Sequence, residues 1–198
     1  MRRTVIVVSL AAGTFLFAAC GSSPDSESTW SSEDIKQRGE DLRREGDTFA
    51  AEIFADGVVT EDENWDAARG YADCMIGRGY AVSDLTLNPL NGLSVIVQAD
   101  PSGRSIDVYN ADEMECRMTY MNEVPAMYKA THQEVMDDAL RVAVGACMND
   151  AGYQIRDGAT NHEEMIPDQA EKGWEPQFIS CATDLIEELY PTLPYFSY

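Results

Sequence analysis

The chain of 198 residues carries 35 Asp and Glu against 14 Lys and Arg, a formal net charge of −21. That excess excludes a nucleic-acid-binding surface, which needs a basic stripe over the phosphates. It also excludes a body lying flat on an anionic leaflet, because like charges repel within a Debye length of about 8 Å. Disorder is excluded too: 44% of the residues are apolar and three are Trp, enough for the core of one globular domain.

Arg2 and Arg3 precede an apolar run over 5–17, the small pair Ala18 and Ala19, and then Cys20. Basic, apolar and small residues in that order form an export signal. The stretch Phe17-Ala18-Ala19-Cys20 resembles the lipobox of bacterial lipoproteins, with Phe17 where Leu is usual. The resemblance implies that residues 1–19 are a lipoprotein signal peptide and that Cys20 is acylated as the lipid attachment site. The apolar run is shorter than the about 20 residues an uncleaved spanning helix needs. Soluble secretion is the other alternative, and Phe17 disfavours it, because an ordinary cut wants small residues at both key positions. The location expected is the extracytoplasmic face of the cell membrane, with the bilayer as a partner through acylated Cys20. Without Arg2 and Arg3 the mature chain holds 12 Lys and Arg against 35 acids, a formal charge of −23.

Residues 20–32 read as the acylated Cys and a flexible tether of Gly, Ser, Pro, Asp, Glu and Thr, with Trp30 its only large apolar residue. Such a tether reaches roughly 20 Å. Residues 33–198 then form a single extracytoplasmic domain. A helix is predicted over 32–55, carrying Leu42, Phe49, Ile53 and Phe54 and ending near Gly57.

Beyond it the chain divides into two related halves, about 58–125 and 126–192. Cys74-Met75-x-x-x-Gly79-Tyr80-x-x-x-Asp84 recurs as Cys147-Met148-x-x-x-Gly152-Tyr153-x-x-x-Asp157, five matches in eleven positions at an offset of 73. This repeat is read as an internal duplication. In the first half Thr60 and Glu63 form a capping box that starts a helix. Trp65, Ala68, Ala72, Met75 and Ile76 give its apolar stripe. Gly79 suits the left-handed position that ends a helix, with Tyr80 packing back on the last turn. In the second half Val135, Ala139, Val142, Ala146 and Met148 predict a matching helix ended by Gly152. The motif thus reads as structural punctuation.

A hairpin is predicted from strands over 93–98 and 105–109, joined by Asp100-Pro101-Ser102-Gly103. Asn110 with Glu113 would cap the next helix, which carries Cys116 to about Asn122. Residues 155–173 read as a polar loop. Pro176 then sits in the first turn of a helix bearing Phe178, Ile179, Ala182, Leu185, Ile186 and Leu189, and Pro191 stops it. The predicted fold class is therefore mainly α (α+β): duplicated helix–loop–helix units, each stapled by a disulfide, with one β-hairpin in the first half.

Export into an oxidising compartment makes the four remaining cysteines two disulfides. Duplication favours Cys74–Cys116 and Cys147–Cys181; the swapped pairing, Cys74–Cys147 with Cys116–Cys181, also respects the symmetry. A zinc site would place its ligands two to four residues apart in pairs, whereas these are all more than about thirty apart.

Chemistry is sparse. His132, beside Gln133-Glu134 near a helix start, and His162, in a polar loop, lie in no nucleophile or metalloprotease pattern and are read as solvated or capping groups. Glu61-Asp62-Glu63 and Asp137-Asp138 fall at helix N-terminal turns, where the dipole favours them. Met114, Met118 and Met121, at helical spacing around Cys116, are read as a core-facing stripe, with copper(I) as the alternative that thioethers would select. No catalytic residue, metal site or cofactor is expected.

The lipobox and the Cys-Met-x-x-x-Gly-Tyr repeats together are similar to those of small, cysteine-bearing secreted lipoproteins of high-GC Gram-positive bacteria, a likeness that carries no site residues. The function expected is non-enzymatic: an anchored lipoprotein binding a basic protein or a cell-envelope component. A small-ligand or metal-binding accessory lipoprotein is the alternative, and a hydrolase with dispersed residues a third.

Overall fold

The structure, a computed structural model, describes residues 30–167 and 173–194. The signal segment, Cys20 and the tether up to residue 29 lie outside the described residues. Ser31 opens α1 (Ser32–Glu45) with a capping box, its N–H donating to the Asp34 carboxylate at 2.9 Å. The one helix predicted over 32–55 is broken. Gly46 ends α1 with φ of 97°, and Asp47 starts α2 (Thr48–Ile53) by accepting from the Ala50 N–H at 3.0 Å. A 3-10 turn, Phe54–Asp56, follows. Gly then Asp supplies a stop and a start in adjacent residues, which outweighs the periodicity running through them.

Helix α3 (Glu61–Gly77) begins at the predicted box, the Thr60 N–H donating to Glu63 Oε2 at 2.7 Å. Its inner face is Ala67, Ala68, Tyr71, Ala72 and Met75; Ile76, predicted there, is exposed. The predicted strand over 93–98 is present at Val95–Ile96, but its partner precedes it in the chain instead of following it. β1 (Thr86–Leu87) pairs antiparallel with β2 (Val95–Ile96), in register Thr86 to Ile96 and Leu87 to Val95.

Residues 105–109, predicted as a strand, instead open α4 (Ile106–Tyr120), capped by Ser105, whose Oγ accepts from the Val108 N–H at 3.4 Å. The cap is therefore not Asn110. β-Branched residues favour a strand where a pleated surface half-buries them. Here Ile106 stands 61% and Val108 45% exposed, while Ser105 and Asp107 favour a helix start.

α5 (Glu123–Thr131), α6 (Asp138–Asp150), α7 (His162–Met165) and α8 (Trp174–Leu189) complete the order. The face predicted for α6 is largely the outer one. Leu140, Val144, Gly145 and Met148 are buried, whereas Ala139 and Ala146 are exposed and Val142 is 63% exposed. Val135 precedes the helix and is exposed too. Gly145 selects the inner face: a Cβ there would meet Ile155 Cδ1 at 2.9 Å, so the following loop settles directly on it. That loop, predicted as polar, contains α7 and buries Ala159 and Met165. Helix α8 carries Pro176 in its first turn and ends at Leu189, as predicted.

Apolar side chains gather in three clusters. α1, α2 and α5 share one with Phe54, Val59, Ala67 and Leu93. α3 and α4 share a second around Tyr71, Met75, Tyr80 and Cys116. α6, α7 and α8 enclose the third, around Leu140, Met148, Met165, Trp174 and Phe178. The N-terminal helices therefore complete the first half, and Met127 and Tyr128, beyond residue 125, pack there too.

The loop between β1 and β2 joins the halves. Leu93 enters the first cluster, and Leu90 packs against the third. Its carbonyls at Asn91 and Pro89 accept from the N–H groups of Val135 at 2.9 Å and Asp137 at 2.8 Å. Gly92 has φ of 62°, and a Cβ there would lie 2.5 Å from the Val135 carbonyl oxygen. Gly92→Ala should thus cost about 2 kcal/mol in urea unfolding followed by Trp fluorescence. Gly158→Ala, also at positive φ but with nothing within 4 Å, should cost only about 1 kcal/mol.

Candidate functional site

The repeated motif forms the same device twice. Tyr80 N–H donates to the Met75 carbonyl at 3.1 Å and Gly79 N–H to that of Ile76 at 2.8 Å. Tyr153 N–H donates to Met148 and Gly152 N–H to Asn149, both at 2.9 Å. This is the Schellman pattern, with the glycines at φ of 87° and 88° in the left-handed position. Each Met is buried on the last turn, and each Cys bonds to a cysteine inside another helix. Cys74 joins Cys116 of α4 with Cα atoms 5.8 Å apart; Cys147 joins Cys181 of α8 at 5.9 Å. Pairing is thus within halves, and the motif ends and staples helices. Asp84 and Asp157, its last matched positions, are exposed.

Around the first staple, Arg78 Nη1 reaches Asp112 Oδ1 at 2.5 Å and Tyr80 Oη donates to Asp112 Oδ2 at 2.8 Å. The Tyr80 hydroxyl and then the Arg78 guanidinium hold the Asp112 carboxyl below its ordinary value. At the second half, Asp137 caps α6 by accepting from Ala139 N–H at 2.9 Å, and it receives the Tyr190 hydroxyl at 2.5 Å. That hydroxyl chiefly lowers the Asp137 pKa, while burial, then the carboxylate itself, raises that of Tyr190.

The histidines are structural. His132 caps the C-terminal end of α5 rather than a helix start; its Nδ1 lies 2.9 Å from the Tyr128 carbonyl, and its ring centroid is 4.0 Å from that of Tyr128. His162 opens α7 instead of lying in a loop. Its Nε2 is 3.2 Å from Glu175, and its ring packs on Phe178 at 4.3 Å and on Trp174 at 5.6 Å. Among the described residues no group of three or more His, Cys, Asp or Glu converges as a metal site.

Two clefts were not legible in the sequence. A polar one of about 500 Å³ lies between α6 and the loop after it, lined by Arg141, Asn149, Gln154, Arg156 and Asp157. Its guanidiniums and amides can donate to an oxygen-rich ligand, and Asp157 can accept. A more apolar one of about 400 Å³ lies at the junction of the halves, among Leu87, Pro89, Val135, Met136 and Tyr190. Both arise from loops folding onto α6, so no spacing in the sequence could mark them.

The surface field is set by how the cations are used. Arg38 bridges Glu123 at 2.8 Å, Arg78 bridges Asp112 and Glu115, Lys129 bridges Glu134 at 2.9 Å, and Arg141 bridges Asp138 at 3.1 Å. Carboxylates outnumber such partners, so the excess negative charge faces solvent. Among the described residues no helix is long and apolar enough to cross a membrane.

These features define a disulfide-stapled, mainly helical domain of two half-units around a short hairpin. Comparison with family models, curated proteins and solved structures returns no match for this chain.

Loss of each disulfide, as Cys74→Ser/Cys116→Ser or Cys147→Ser/Cys181→Ser, should cost about 4 kcal/mol for loops of 42 and 34 residues, read as a lower urea midpoint. Tyr190→Phe should destabilise the chain at pH 7. The Asp137 pKa is depressed in the folded state, so the stability it brings is present above the ordinary value of 3.8 and lost as pH falls through the depressed one. The difference between wild type and Tyr190→Phe should therefore shrink in urea titrations below pH 3.8.

Proposed function

We propose that this chain is a membrane-anchored extracytoplasmic lipoprotein, non-enzymatic, that docks a basic protein or another cationic component of the cell envelope. The observation that carries this reading is the conjunction of a lipobox-like stretch ending in Cys20 with a body of 35 acids against 12 bases after the cut. Lipid would hold the domain at the bilayer while like charge keeps its body off the anionic leaflet, leaving the field to steer cationic partners. Ion pairs that engage Arg38, Arg78, Lys129 and Arg141 within the fold support it, because they leave the unpaired acids to dominate the surface. The disulfides suit an oxidising compartment.

A second reading, a small-ligand accessory lipoprotein, is favoured by the polar cleft of Arg141 and Arg156. Its ligand would be a small oxygen-rich molecule held by guanidinium and amide donors.

Cys20→Ala should abolish acylation and move the protein from the membrane fraction to the soluble one, read by fractionation and intact mass. A pull-down from envelope extract with the full chain should retain a saturable basic partner whose association slows as salt rises. Retention of only what a plain polyanion resin also holds would count against the docking reading.

A further inference from the structure

Of the described methionines, five are buried: Met75, Met127, Met136, Met148 and Met165. The three that are not are Met114, Met118 and Met121, and all three lie along α4 and its C-terminal cap. Met114 is 64% and Met118 56% exposed, and Met121 is half-buried at the edge of the second apolar cluster. Core packing, which the spacing suggested for this stripe, explains none of the exposure of Met114 and Met118. The reason they face outward is the staple. Cys116 points inward, and residues two before and two after it on a helix lie about 160° around the axis from it.

We propose that Met114, Met118 and Met121 form a thioether site for a soft monovalent cation, copper(I) by chemical class. Successive members stand at i, i+4 and i+7, inside an arc of about 60°, with neighbouring Cβ atoms about 5–6 Å apart. Three rotatable bonds per side chain let the sulfurs converge on one ion. Thioether sulfur selects copper(I) over zinc, calcium or magnesium, which prefer harder donors. Among the described residues, the four thiols that would compete as soft ligands are closed as disulfides. The platform is also rigid. α4 is held to α3 by Cys74–Cys116, by Arg78 and Tyr80 on Asp112, and by Arg117 over the Tyr71 ring at 5.6 Å. A fixed helix lowers the ordering cost of binding. The net charge of the chain raises the local cation concentration around it. No oxidation or reduction is part of the proposal; the site holds the ion.

The test uses the full chain carrying Cys20→Ala, so that no free thiol competes, in detergent, with silver(I) as a soft monovalent probe that needs no reductant and so leaves the disulfides intact. Calorimetric titration in nitrate buffer should show one silver(I) per chain. Methionine-methyl NMR should show shifts at Met114, Met118 and Met121 while Met75 and Met148 stay in place. Met114→Leu/Met118→Leu, both at exposed positions, should keep the circular dichroism of the parent and bind silver(I) at least roughly tenfold more weakly. The exchange Met165→Leu, in the third cluster, serves as a control that should leave binding unchanged. No heat with the parent chain overturns the proposal. So does binding undiminished in the double variant, or methyl shifts confined to other methionines.

Discussion

Seven residues, 88–94, join the first and third apolar clusters in one body, and the remaining architecture depends on how they satisfy their own backbone. Asn88 Oδ1 accepts from the Leu90 N–H at 2.9 Å, and Asn91 Oδ1 accepts from the N–H groups of Leu93 and Ser94 at 3.0 Å. With these donors bonded inside the loop, its carbonyls at Pro89 and Asn91 remain to receive the extended segment before α6. The buried Asn64 of α3 donates to the Leu93 carbonyl at 2.8 Å, tying the same loop to the first half. A buried loop is tolerated only when its polar backbone is paired. Here the pairing also sets the relation of the halves. From the other side, Met136 N–H donates to the Thr160 carbonyl at 2.7 Å, so residues 135–137 are held between two loops.

Within each half the organising device is local. A helix ends in a left-handed Gly, the next aromatic turns back over a buried Met, and the adjacent Cys is bonded to a helix from later in the chain. The Schellman hydrogen bonds fix where the helix stops, and the disulfide fixes what lies beside it. What fills the space between the paired helices differs: a hairpin in the first half, a short helix and loop in the second. The repeat therefore conserves the joint and not the connection. This also explains why α4 needs so little burial, since Cys116 is its only fully buried residue and ion pairs with Arg78, the C-cap of α3, and the half-buried rings of Tyr109 and Tyr120 supply further contacts.

Such a lightly buried helix frees its outer face. On an ordinary two-layer helix a Met stripe at offsets of four and seven packs inward. On α4 the inward face is already specified by Tyr109, Cys116 and Tyr120, at offsets of seven and eleven. Met114 and Met118 fall opposite, with Met121 at the edge of the cluster. Periodicity alone places the stripe in the core; its phase relative to the disulfide cysteine turns Met114 and Met118 outward. The same error of phase occurred on α6, where Val142 looked like a core residue while Leu140 and Val144 took that place.

Sequence by itself determined the ends and joints of this protein: the Thr60–Glu63 box, the acids at 137 and 138 at a helix start, the glycines at 79 and 152 and Pro176 stand as read, and of the two symmetric cysteine pairings the one that duplication favours is present. These features rest on hydrogen bonds and dihedral preferences within a few residues, or on a repeat visible in the chain, so neighbouring letters suffice to specify them. Tertiary structure alone decided which face of α4 and α6 turns inward, which strand meets 95–96, and where the clefts lie. A helix with apolar residues on two faces has no preferred side until a partner covers one, and Ile106 and Val108 have no strand to join because the loop through Asn91 and Gly92 has already brought 86–87 onto 95–96. The acid excess was countable from the start. Its placement on the outside waited on the fold, because only packing shows which carboxylates meet an arginine and which are left facing water.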